Sequence, residues 1–124
     1  MRRWAALVVA LGVLVFAVAA VGSRSRAPSR LLVSGDEYSL TLSRKSLNRG
    51  PALIQFLNRG EDPHDLRLRR IGASASHTIS APEVRPGGLV ELDPHLRAGR
   101  YRLWCSLPGH SRRGMHALLR VTRR

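Results

Sequence analysis

One stretch of the chain gathers the residue types that hold a soft metal ion: Trp104-Cys105-Ser106-Leu107-Pro108-Gly109-His110-Ser111-Arg112-Arg113-Gly114-Met115. The spacing is C-x4-H-x4-M, so a thiol, an imidazole and a thioether follow one another in a segment tightened by Pro108 and Gly109. Such donors bind both copper(I) and copper(II), and a trigonal thiolate with two imidazoles and a weak axial thioether suits a one-electron copper centre. Cys105 is the only cysteine. No internal disulfide can form, which leaves an inert core residue, a reactive group or a metal ligand. The nearby imidazole and thioether decide for the ligand. One imidazole is still missing from the set. His64 is the candidate for it, within Asn58-Arg59-Gly60-Glu61-Asp62-Pro63-His64-Asp65-Leu66, well before the cysteine in the chain.

Donors so far apart in sequence need a fold that brings one loop against another. Short runs of alternating apolar residues recur between turn signals, the pattern of an all-β sandwich. Seven strands are expected, at Glu37 to Leu42, Ala52 to Asn58, Asp65 to Arg70, His77 to Ser80, Gly88 to Leu92, Gly99 to Cys105 and Ala117 to Val121. Asn48-Arg49-Gly50-Pro51, Asn58-Arg59-Gly60, Pro86-Gly87-Gly88 and Pro108-Gly109 separate them, because Gly and Asn permit turns and Pro stops ladder hydrogen bonds. The stretch from Gly72 to Pro94 is the least regular and leaves room for a short helix. Alternation along the sixth strand places Tyr101, Leu103 and Cys105 on one face and Arg102 and Trp104 on the other.

With these residues in place, Leu57-Asn58-Arg59-Gly60…Pro63-His64-Asp65-Leu66, Pro86-Gly87-Gly88, Ala98-Gly99-Arg100-Tyr101 and Cys105-Ser106-Leu107-Pro108-Gly109-His110…Gly114-Met115 resemble the plastocyanin and azurin group of cupredoxins. The resemblance covers nearly the whole folded part. It implies a Greek-key β-sandwich and one type 1 (blue) copper ion held by His64, Cys105, His110 and Met115, passing electrons between exported or membrane redox partners. Many relatives carry Asn immediately after the first histidine. This chain has Asp65, whose carboxylate can accept a hydrogen bond from Ser106 while adding negative charge beside the metal, which favours copper(II). His116, directly after Met115, is also unusual and has no assigned place. His77 and His95 read as surface residues.

Four protein ligands leave no coordination position for a substrate, so the expectation is an electron carrier and not an enzyme. A nucleophilic Cys105 activated by His110 would need an oriented base and an oxyanion hole, for which the sequence offers nothing. No His-x-His pair is present for additional coppers, and a dinuclear copper centre takes two cysteines. A copper carrier or assembly factor using the same ligands is the alternative. In the resemblance His110 lies nearest the surface, with Leu107, Pro108 and Gly109 as an apolar docking patch and Arg112 and Arg113 beside it to steer an acidic redox protein. Trp104 is a second docking position or an ordinary packing residue.

Charge and the first residues set the surroundings. The formal net charge is +13, from 21 Lys and Arg against 8 acids. Such a field attracts acidic proteins or an anionic membrane surface, whereas scattered arginines give no specific nucleic-acid reader. Met1-Arg2-Arg3 and the apolar run Trp4 to Val21 form an export leader over residues 1–22, either cleaved or kept as an N-terminal membrane anchor. Both place the protein in the periplasm or on the outer face of a membrane. Residues 23–34 read as a basic linker and 35–124 as one copper-binding domain, expected to act as a monomer.

Overall fold

A computed structural model of the chain describes residue 22 and residues 25–124. The expected leader therefore lies outside the described residues except for Gly22. Among the described residues no helix is long and apolar enough to cross a membrane.

The described residues form ten strands in order: β1 Ser29–Asp36, β2 Ser39–Leu42, β3 Ser46–Asn48, β4 Gly50–Asn58, β5 Arg67–Arg70, β6 Ile79–Ser80, β7 Leu89–Leu92, β8 His95–Leu96, β9 Gly99–Trp104 and β10 His116–Thr122. One sheet has the order β2-β1-β4-β7, with β8 paired to β4, and the other runs β3-β10-β9-β5-β6. Pairing is antiparallel except for β1 with β4 and β3 with β10. The architecture is all-β and two-layered, as expected. All seven anticipated strands are present with only small shifts at their ends, and the irregular stretch holds a single 3-10 turn, Ala75–His77.

The assignment of residues 23–34 to a linker, with the domain starting at 35, is corrected at its second half. Ser29–Asp36 is a strand whose Leu31 and Val33 are buried in the core. Its apolar run is short and preceded by basic residues, so nothing local marks it; its order comes from parallel pairing along β4, Ser29 to Gly35 against Ala52 to Asn58. The strands β3 and β8, Ser46–Asn48 and His95–Leu96, are likewise too short to show a period.

Between the sheets the alternate residues Leu31 and Val33 of β1 and Ile54 and Phe56 of β4 meet Leu68 of β5, Tyr101 and Leu103 of β9 and Leu119 and Val121 of β10. Phe56 is the largest fully buried side chain among the described residues. It sits just before Asn58, where β4 hands over to the loop that carries His64. Phe56→Ala is expected to cost about 3–5 kcal/mol of stability, read as a lower denaturant midpoint with an unchanged transition slope.

Candidate metal centre

His64 lies in the loop between β4 and β5, and the loop is held by side chains and backbone on both sides. The buried Asn58 amide donates to the carbonyls of Asp62 and Val84, both at 2.8 Å, and accepts the Gly60 N–H at 2.9 Å. His64 and Val84 exchange two backbone hydrogen bonds of 3.1 and 2.7 Å. This leaves the His64 ring fully buried and little able to turn.

The other donors sit where β9 ends and β10 begins. The Cys105 N–H donates to the Met115 carbonyl, and the Met115 N–H donates to the His110 carbonyl, each at 3.1 Å. The intervening chain makes one 3-10 turn, Ser111–Arg113, and Gly114 at φ 117° reverses it into β10. A side chain there would be strained by that φ and would press on the Tyr38 carbonyl. Cys105 and Met115 are completely buried.

The arrangement brings the imidazole nitrogens of His64 and His110 and the Cys105 sulfur within 4.8 Å of one another. His64 Nδ1 lies 3.2 Å from His110 Nδ1, which lies 3.6 Å from Cys105 Sγ. Met115 is buried beside them through its backbone bonds to both neighbouring ligands. Two imidazoles, a thiol and a thioether fit a type 1 copper ion; a structural zinc site draws on thiolates and imidazoles alone.

Asp65 takes the place the sequence reading gives it. Its carboxylate accepts the Ser106 N–H at 2.6 Å and the Ser106 hydroxyl, tying the His64 loop to the residue after Cys105, and also accepts from Arg67 Nε at 3.2 Å. Burial alone would raise the Asp65 carboxyl, but the Ser106 and Arg67 hydrogen bonds outweigh it and hold the group below its ordinary range. Burial pushes the Cys105 thiol up. The free thiol is therefore a poor nucleophile near neutral pH.

Two contributors have no counterpart in the sequence reading, Glu37 and Tyr38, which form the tight turn between β1 and β2. Glu37 Oε1 is 2.8 Å from His64 Nε2. The Tyr38 ring meets His110 edge-on at 4.9 Å between centroids, and the Arg113 guanidinium covers Tyr38 at 4.6 Å. Backbone N–H groups of Asp62 and Glu61, and then the His64 ring, lower the Glu37 carboxyl to about 2, against the opposing effect of burial. The sequence carries no signal for these contacts because each joins residues far apart in the chain and depends on the hairpin.

Trp104 faces outward, opposite Cys105, as the alternation requires, with Arg69 and Arg102 over its ring at 5.5 and 5.9 Å. It lines an open groove together with Ser106, Leu107, Pro108 and Arg112. Arg112, Arg113 and Pro108 are exposed, and Leu107 packs in part on the core. His116 is exposed and outside the cluster. His77 and His95 are exposed and line a separate cleft.

No protein-family model matches the chain, and no curated protein matches it in sequence. Solved structures do match. Reduced auracyanin from Roseiflexus castenholzii superposes with a TM-score of 0.64 at 17% identity, covering 78% of this chain and 99% of that one. Auracyanin A, described as a blue copper protein from Chloroflexus aurantiacus, gives 0.61 at 18% identity, covering 77% and 100%. A purple cupredoxin from Nitrosopumilus maritimus gives 0.53 at 18% identity, covering 76% and 99%. This chain has the cupredoxin fold. Within it, the loop after β4 and the segment between β9 and β10 bring together His64, Cys105, His110 and Met115.

The negative charge of Asp65 beside the centre has a direct readout. Asp65→Asn keeps an acceptor for Ser106 but removes the charge, so the reduction potential of the copper-loaded protein is expected to rise; an unchanged potential contradicts the role.

Proposed function

We propose that the chain is an exported single-electron carrier that holds one type 1 copper through His64, Cys105, His110 and Met115. The observation that carries the reading is the gathering, within 4.8 Å, of three buried or half-buried donors from two loops that are distant in sequence. Copper bound there supplies a one-electron couple.

The residues around the site serve that use. Asn58, Val84 and the Asp65–Ser106 tie hold the two loops in one arrangement, so little of the protein has to move when charge at the metal changes. Burial of His64, Cys105 and Met115 keeps water from the donors. His110 is the partly exposed ligand. Electrons enter or leave beside it, over Leu107, Pro108 and Gly109, with Arg112 and Arg113 attracting an acidic redox protein. The same clamped, buried donors favour an electron carrier over a factor that hands on copper itself, which needs an open or yielding site. The raised thiol speaks against a Cys105 nucleophile and supports a non-enzymatic role.

Export rests on the leader, and an anionic membrane surface is a second partner for so basic a chain. The protein works as a monomer.

Copper(II) added to the purified protein is expected to give an intense thiolate-to-copper band in the visible, bleached by one electron per chain and restored on reoxidation with the copper retained. Cys105→Ser should lose the band. A colourless protein overturns the copper reading, and copper released on each cycle favours delivery.

A further inference from the structure

The hairpin turn places a carboxylate against the far side of the His64 ring. Glu37 Oε1 lies 2.8 Å from Nε2, while Nδ1 of the same ring points to His110 Nδ1 at 3.2 Å. A carboxylate oxygen already held by two backbone N–H groups acts as the acceptor here, so Nε2 is the donor, and in the neutral ring Nδ1 then keeps the lone pair that a metal needs. The oxygen is itself fixed, since Oε1 also accepts the backbone N–H groups of Glu61 and Asp62, each at 2.9 Å. The carboxylate lies against Gly60, where any larger residue would collide with it. The His64 ring is fully buried, so water does not compete for Nε2, whereas the Glu37 side chain keeps 28% of its surface exposed and its loss need not disturb the core.

We propose that Glu37 is a positioning residue: it selects Nδ1 of His64 as the donor that faces the metal, and its fixed negative charge, one imidazole away, weights the site toward copper(II). The inference rests on the copper reading for its second half only, because the proton on Nε2 exists without metal. A carboxylate bonded to a ligand imidazole orients the ring and makes it a stronger donor. Glu37 differs from Asp65, whose carboxylate joins the His64 loop to Ser106 and bonds no ligand ring.

Two substitutions in the full chain separate position from charge. All three bonds at Glu37 use one oxygen, so Glu37→Gln can keep them while losing the charge; Glu37→Ala loses both. Nitrogen-15 NMR of the metal-free protein at neutral pH should show His64 with its proton on Nε2 in the native chain and in Glu37→Gln, and a mixture of tautomers in Glu37→Ala. With copper bound, Glu37→Ala is expected to weaken metal affinity about 10–100-fold. Glu37→Gln should shift the relative affinity toward copper(I) about tenfold, an upward change of about 59 mV in potential. A His64 tautomer indifferent to Glu37→Ala, or a potential unmoved in Glu37→Gln, overturns the proposal. Failure of the native chain to bind copper would refute the function proposed above, and the tautomer measurement would still decide the positioning role.

Discussion

The site depends on the carboxylate of Asp65, which fastens one ligand loop to the other. Its two oxygens take the backbone N–H and the hydroxyl of Ser106. The residue after His64 is thereby joined to the residue after Cys105, although the two are remote in sequence. The start of β5 and the end of β9 already lie side by side in one sheet, with Arg67 opposite Trp104 in that register. The pairing sets the loops side by side; the carboxylate sets their spacing. A buried charge is costly unless hydrogen bonds satisfy it. Here they do, so the cost of burial becomes a preference for one loop arrangement.

Around this tie the supports divide by ligand. His64 is held through its backbone by Val84 and through its ring by Glu37. His110 is held by the 3-10 turn that follows it and by the Tyr38 ring. Cys105 and Met115 are joined across the start of the β9–β10 ladder. Both residues of the β1–β2 turn thus back an imidazole, one from each loop. Negative groups, Glu37 and Asp65, lie next to the donors, while Arg69, Arg102, Arg112 and Arg113 stand outside them. The chain is basic as a whole and acidic where the metal would sit.

What could be read from the sequence follows the range of each interaction. Cys105, His110 and Met115 share one short loop, so their spacing alone declares them. His64 needed the resemblance of its loop, since no local rule links it to a strand end so much further along the chain. Asp65 and Ser106 were legible by the same route. Glu37 was not: a polar residue in an Asp-Glu-Tyr-Ser turn looks like any solvated hairpin, and its function appears only once β1 pairs with β4 and swings the turn over the site. The strands told the same story. Those with clear alternation, such as β4 and β9, stand out, whereas β1, β3 and β8 are ordered mainly by partners elsewhere in the chain and carry little pattern of their own.

A crystal structure of the copper-loaded protein tests the account most directly. One metal ion per chain is expected, bound by Nδ1 of His64, Sγ of Cys105 and Nδ1 of His110 with Met115 at longer range, and with Glu37 still on Nε2 of His64. Copper held through Nε2 of His64, or at a site that leaves out Cys105, would contradict it.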